Sequence, residues 1–203
     1  GVIVLVVALV AMGLGLFAVD CPRPSSDDMA PGIRKGDLLL ACRTCGKPQR
    51  GDVVLFMSPD NGPVTVRRVV GVPGDRVEVH NGQILINGKP LDDTDDGTVK
   101  LADVDPVSSQ PRPFAVAFEH NGEHEYRVIR DLGVVATGDR APETLADAFF
   151  VAADRRILVR DSRDYGPVAR ASIRSIVLRV LSAGDHDADR QGKQSGRAAC
   201  RGR

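Results

Sequence analysis

The sequence has no tryptophan, and aromatic residues make up only 4% of its 203 positions. It also has no net charge, because 27 lysines and arginines balance 27 aspartates and glutamates. A nucleic-acid partner held by bulk electrostatic attraction is therefore not expected. Glycine and proline are frequent instead, with 21 and 13 residues, which favours a turn-rich β protein over a helical bundle.

Cysteine is scarce as well, and its spacing limits the kind of site that it could form. The cysteines are Cys21, Cys42, Cys45 and Cys200, and the middle two form a single C-x-x-C motif. A closed zinc site needs four ligands, and no second cysteine or histidine pair lies at a suitable spacing. The motif favours a disulfide or two free thiols, and the sequence predicts neither a metal nor another cofactor. A disulfide would fit an oxidising compartment outside the cytoplasm.

One long segment carries no charge at all. Residues 1–19 are uncharged and largely apolar, and as a helix they would reach roughly 28 Å, close to the thickness of a bilayer core. This predicts a transmembrane anchor over residues 1–20. A buried helix usually shows a polar face, a cleaved signal peptide has a shorter apolar region, and Asp20 fits poorly before a lipoprotein site at Cys21. Because the sequence starts at Gly1 without methionine, we expect the natural chain to begin further upstream.

After this run, short apolar segments alternate with glycine, proline and aspartate, which is typical of strands joined by turns. Asn81-Gly82 lies between two segments of period two and predicts a hairpin turn. The segments with strand character are 37–42, 52–57, 64–72, 76–82, 83–88, 114–129 and 172–181. We predict a β domain over residues 21–182, with an acidic surface insertion at about 92–113 and a polar, disordered tail over 183–203.

Four segments carry recognisable motifs in a fixed order. They are SSDDMAP at 25–31, RGDVVLF at 50–56, RRVVGVPGD at 67–75, and ADRR at 153–156 with DSRDYGPV at 161–168. Together they resemble the type I signal peptidase (leader peptidase) family. That family usually has Ser-x-Ser-Met-x-Pro, then Lys-Arg-Val-Ile-Gly-x-Pro-Gly-Asp, then Gly-Asp-Asn-Arg followed by Ser-x-Asp-Ser-Arg-x-x-Gly-Pro-Val. No single motif is decisive, but the set, its order and its spacing are specific.

The resemblance implies a mostly β fold, in which twisted antiparallel sheets form a barrel-like core behind one N-terminal transmembrane helix. It also implies a membrane-anchored serine protease that removes leader peptides from exported proteins with a Ser/Lys dyad. In this dyad serine attacks the scissile carbonyl, and a buried, neutral lysine accepts its proton. The serine N–H and a hydroxyl two residues earlier stabilise the oxyanion. The implied location is the inner or plasma membrane, single-pass, with the β domain on the extracytoplasmic side.

Both dyad positions are substituted in this chain. The nucleophile position holds Asp28, and the base position holds Arg67. A carboxylate is far less suited than an alkoxide to acylation by an amide, and arginine stays protonated, so it cannot act as a general base. The two substitutions fit each other, because aspartate and arginine form a charge-compensated pair. We therefore predict that the two side chains face each other at hydrogen-bonding distance. The alternative is a solvated loop acid and a separate cation on the strand surface.

The neighbouring motif positions are partly retained. Ser26 matches the oxyanion hydroxyl of the family, and Met29 and Pro31 complete the cleft motif. Ser26 as a displaced nucleophile would still need a base, and no lysine occupies the family position. In the last motif Val159 replaces the serine that orients the lysine, whereas the retained Asp161 and Arg163 are predicted to form a salt bridge that supports the site.

Two functions remain open from the sequence. The first is a catalytically degenerate signal peptidase homologue that acts as a binding or assembly factor in secretion. The second is an active signal peptidase I with an unorthodox site. The expected partners are exported or precursor polypeptides and the lipid bilayer, with secretion or surface-assembly proteins as further candidates and no nucleic acid.

Overall fold

The computed structural model describes residues 18–182 apart from 60–61, 63, 100–113, 132–137 and 158. For residues 92–99, 114 and 131 it describes the backbone alone. Residues 1–17 of the predicted anchor over 1–20, and the predicted tail over 183–203, lie outside this range. No helix among the described residues is long and apolar enough to cross a membrane.

The main sheet has seven antiparallel strands and is curled into a half-barrel. Its spatial order is β1-β2-β14-β3-β4-β12-β13. The bounds are β1 Val19–Asp20, β2 Leu38–Cys42, β3 Val53–Met57, β4 Val64–Gly71, β12 Ala148–Ala152, β13 Val168–Ala169 and β14 Ile173–Ser182. The predicted mostly β class is confirmed. The antiparallel pairing of β1 with β2 places Val19 and Asp20, the last residues of the predicted anchor, at the edge of this sheet.

Two smaller sheets complete the described fold. One contains β11 (Arg140–Thr144), β5 (Arg76–His80), β6 (Gln83–Ile86) and β7 (Lys89–Pro90), in that order. The predicted hairpin at Asn81-Gly82 joins β5 to β6, and both turn residues have positive φ, 49° and 75°. The other contains β10 (His124–Asp131), β9 (Phe114–Asn121) and β8 (Asp92–Val99).

The apolar strand residues divide into three main clusters. One fills the space between β4, β12 and the β5–β6 hairpin, and a second lies between β3, β12 and β14. The third contains Met29, Ile33 and Leu39 packed against Val53, Leu55 and Val66. This third cluster matters for function, because it fixes the segment before β2 against β3 and β4.

A strand that was not predicted occupies the first part of the predicted surface insertion at 92–113. Residues 92–99 form β8 and pair antiparallel with β9 along the register Asp92↔His120 to Val99↔Phe114. Backbone hydrogen bonds to a neighbouring strand do not depend on side-chain hydrophobicity, so an acidic segment can join a sheet edge. A four-residue helix, α1 (Ser162–Tyr165), was not predicted either.

Candidate functional site

Asp28 and Arg67 meet although 39 positions separate them in the chain. Asp28 lies in a turn in which the Ala30 N–H donates to the Asp27 carbonyl and the Ile33 N–H to the Met29 carbonyl. Arg67 lies in β4. Its Nη2 donates to Asp28 Oδ2 at 2.9 Å, which confirms the predicted contact between these two residues.

The arginine of this pair is buried, whereas the aspartate is partly accessible. The side chain of Arg67 is 7% exposed and that of Asp28 is 27% exposed. Arg67 also donates to the backbone carbonyls of Val66 at 2.7 Å and Arg160 at 3.1 Å. One carboxylate and two carbonyl oxygens therefore surround a guanidinium that stays charged and accepts no proton.

A groove with a cavity volume of about 60 Å³ runs past the pair. One wall comes from residues 22–26, 28 and 29, and the other from Leu55 and residues 64–67. Ser26 lies exposed on the rim, whereas Met29 is 2% exposed and forms part of the floor. Pro31 follows a cis peptide bond and is half-buried, but it does not line the groove.

The β4 wall of the groove has an unpaired backbone edge. β3 pairs with β4 from Val64 to Arg68 on one side. On the other side, β12 pairs only with the part from Arg68 to Gly71. Within the described chain, residues 64–66 thus have no second strand neighbour, and these are the residues that line the groove. An open edge of this kind can accept an added strand.

No lysine or histidine lies beside Ser26 among the described residues that line the groove. None of the described lysines, Lys35, Lys47 and Lys89, lines the groove, and neither does any described histidine. Val159, at the position of the family's lysine-orienting serine, is half-buried and offers no side-chain hydrogen bond. Among the described residues, the groove therefore places no lysine or histidine beside the Ser26 hydroxyl.

Asp161 and Arg163 form an ion pair with an Nη2–Oδ2 distance of 2.8 Å, and both side chains are almost completely buried. Asp161 also accepts hydrogen bonds from the backbone N–H groups of Ala153 and Arg163, and it caps α1. Burial alone would raise the pKa of Asp161, but the hydrogen bonds and charge of Arg163 outweigh it and hold that pKa below its usual value. The preceding residue, Arg160, supplies a carbonyl to Arg67, so this pair fixes the backbone beside the site.

Sequence reasoning missed a second buried charge network next to the site. Glu119, 1% exposed, binds Arg156 at 2.5 Å and Arg130 at 2.8 Å. Asp154 accepts two hydrogen bonds from Arg68, at 2.7 and 2.6 Å, and Arg68 lies over the ring of Tyr126. One available signal was the alternation in β9, which puts Glu119 on the same face as the buried Ala115 and Ala117.

We expect Asp28→Ala to lower the free energy of unfolding by about 2–3 kcal/mol. Removing one partner of a buried pair leaves the other charge uncompensated, which typically costs about 3–5 kcal/mol, and the partial exposure of Asp28 reduces that cost. Chemical denaturation measures this loss of stability in the wild type, Asp28→Ala, Arg67→Met and the double variant. The double variant should lose less than the sum of the single losses. Strict additivity would mean that the two charges do not stabilise each other.

The chain is similar to several known proteins. The family model described as "Signal peptidase, peptidase S26" matches residues 1–181. Signal peptidase I of Leptolyngbya laminosa is 29% identical over 96 residues, which cover 42% of this chain and 47% of that protein. Signal peptidase I U of Bacillus subtilis (strain 168) is 25% identical over 139 residues, covering 67% and 60%. The chain thus spans between 47% and 60% of the length of these relatives. A crystal structure of a signal peptidase I from Enterococcus faecalis V583 is 27% identical, with a TM-score of 0.38, and the match covers 64% of this chain and 97% of that one.

Proposed function

This chain belongs to the peptidase S26 family of signal peptidases, and on that premise we propose that it is a non-catalytic member that binds leader-bearing polypeptides without cleaving them. The observation that carries the proposal is the 2.9 Å ion pair between Asp28 and Arg67. It occupies the two positions at which the family motifs place the nucleophile and its base. A carboxylate there would also repel the oxyanion that amide hydrolysis must develop.

The binding half of the proposal rests on the groove. Extended polypeptides add to open sheet edges through backbone hydrogen bonds, while side-chain pockets select their residues. The edge at residues 64–66 offers such hydrogen bonds, and Met29, Leu55 and Val66 make the groove partly apolar. A groove of about 60 Å³ accommodates small side chains. The expected ligand is an extended segment with small residues, such as the end of a leader peptide.

The location and remaining partners belong to the same proposal. The uncharged run over residues 1–19 would hold the chain in the inner or plasma membrane, with the β domain outside the cytoplasm. Because β1 begins at Val19, this run would lead directly into the main sheet and keep the groove near the bilayer. Exported precursors would then meet the groove as they leave the membrane. Secretion or surface-assembly proteins are the proposed receivers of the bound chain.

The test uses the full chain in detergent, with a precursor that carries a small-x-small leader end. We expect no cleavage on gels or by mass spectrometry, together with saturable binding of the fluorescently labelled leader peptide. Ser26→Trp, which fills the groove rim, should weaken binding at least tenfold. Ser182→Trp, at the exposed end of β14, is the matched control and should bind as the wild type does.

Two outcomes contradict the proposal in different ways. Wild-type cleavage that disappears in Ser26→Ala would identify an active peptidase with a displaced nucleophile. Absence of both cleavage and binding would remove the peptide-binding role and leave only the loss of the dyad.

A further inference from the structure

We propose that the Cys42–Cys45 disulfide is a thiol–disulfide exchange site that accepts two electrons from a dithiol partner. The two cysteines are bonded in the structure, so neither thiolate is available as a metal ligand. The site lies at the end of β2, in a motif that takes no part in the groove. The inference therefore does not depend on the proposed peptide-binding function.

The two sulfurs of this disulfide differ in their surroundings. Cys42 is 7% exposed and is the last residue of β2, where it pairs with Val19 of β1 and Ile176 of β14. Cys45 lies in the exposed loop that follows. An approaching thiolate can therefore reach Cys45 far more easily than Cys42. This asymmetry assigns Cys45 as the attacked sulfur and Cys42 as the leaving group.

Polar and charged groups lie next to the disulfide. The hydroxyl of Thr44 lies 3.9 Å from Cys42 Sγ, and it must be the donor because a disulfide sulfur carries no proton. Arg43 and Arg174 share a single carboxylate, that of Asp20, so the loop retains excess positive charge. Positive charge beside the exposed Cys45 attracts an approaching thiolate electrostatically.

The loop also keeps its position without the disulfide. The backbone of Cys42 is held by strands on both sides, and the Arg43 N–H donates to the Ala18 carbonyl at 2.8 Å. The Arg170 guanidinium donates to the Gly46 carbonyl at 3.3 Å. A disulfide that closes so short a loop removes little entropy from the unfolded chain. Reduction should therefore open the S–S bond and leave the fold in place.

The exchange step balances within the pair and its partner. A thiolate of the dithiol attacks Cys45 Sγ, the S–S bond breaks, and Cys42 leaves as a thiolate. In the mixed disulfide, the first sulfur of the partner is bonded to Cys45. The second thiol of the partner loses its proton and attacks that first sulfur, which releases Cys45 as a thiolate. The partner is oxidised to a disulfide, Cys42 and Cys45 are reduced, and the two protons pass to the released thiolates or to solvent.

The test uses the full chain with Cys21→Ser and Cys200→Ser, so that only the pair remains. Dithiothreitol is the dithiol probe, free thiols are counted by alkylation and mass spectrometry, and circular dichroism reports the fold. We expect complete reduction within minutes by millimolar dithiothreitol with no change in the folded spectrum. Reduction that occurs only in denaturant, or that unfolds the domain, overturns the proposal.

Single-cysteine variants test the assignment of the two sulfurs. Cys42→Ser leaves Cys45 alone, and Cys45→Ser leaves Cys42 alone. We expect glutathione disulfide to modify Cys45 at least tenfold faster than Cys42, and Arg43→Gln to slow reduction of the intact pair. Equal rates at the two cysteines would overturn the assignment. If neither single variant folds, the reduction of the native pair still decides the proposal.

Discussion

Replacing Glu119 with alanine is expected to lower the free energy of unfolding by about 3–5 kcal/mol, the usual cost of removing one partner from a buried ion pair. Glu119 is 1% exposed, and it is the shared partner of Arg156 and Arg130. Without it, the guanidinium of Arg156 remains 8% exposed and loses its carboxylate. Urea denaturation followed by circular dichroism measures the loss.

The pH dependence of stability gives an independent measure of the same residue. Burial would raise the pKa of Glu119, but the charges and hydrogen bonds of Arg156 and Arg130 outweigh it and lower that pKa from 4.5 to about 2. A depressed pKa stabilises the fold above the unfolded value and stops doing so as the pH falls toward the folded value. The difference between these two pKa values corresponds to about 3 kcal/mol of folding free energy. The wild type should lose this stability between about pH 4.5 and 2, and Glu119→Gln should not show this part of the loss.

Glu125→Ala is the matched control for this prediction. Glu125 lies on the neighbouring strand β10 and pairs with His120, but its side chain is 56% exposed. Exposed ion pairs contribute about 0–1 kcal/mol, so this variant should unfold nearly as the wild type does. Equal losses in Glu119→Ala and Glu125→Ala would mean that burial of the first pair is unimportant.

Asp161→Ala is the second substitution with a large expected effect, also about 3–5 kcal/mol. The substitution leaves the guanidinium of Arg163, which is 1% exposed, without its carboxylate partner. It also removes the acceptor for two backbone N–H groups. Asp161→Asn keeps an acceptor but loses the charge, so its loss should be smaller. Asp147→Ala, in the exposed turn before β12, is the matched control and should change stability by less than about 0.5 kcal/mol.

A functional measurement separates support of the site from general stability. Asp161 is next to Arg160, whose carbonyl accepts from Arg67. At a temperature where Asp161→Ala remains folded, the leader peptide should bind more weakly than to the wild type. Unchanged binding by the folded variant would show that the Asp161–Arg163 pair stabilises the domain without shaping the groove.

Buried charged residues connect the Asp28 turn to strands β9 and β10. The N–H of Arg155 donates to the carbonyl of Asp28 at 2.9 Å, and the N–H of Arg156 donates to the carbonyl of Ile129 at 2.9 Å. The segment around Arg155 therefore bridges the Asp28 turn and strand β10. Glu119 pairs with Arg156 on the same segment, so the β9–β10 hairpin is tied to the site through a few buried charges.

The sequence by itself determined the β class, the Asn81-Gly82 hairpin and the presence of an aspartate and an arginine at positions 28 and 67. These properties are local: period-two hydrophobicity, turn chemistry and motif residues are written in short stretches of chain. The opposite charges of Asp28 and Arg67 also follow from residue identity, but their contact at 2.9 Å is a property of the tertiary structure.

Only the tertiary structure decided which polar residues are buried and which backbone edges are left unpaired. The acidic segment at 92–99 became a strand because β9 supplies backbone partners, which composition does not report. Glu119 became buried because arginines from distant segments reach it, and burying a carboxylate is tolerable only with such partners. The open edge at residues 64–66 exists because β12 stops pairing at Arg68. Each of these depends on contacts between residues far apart in the chain, so local patterns such as the alternation in β9 did not determine it.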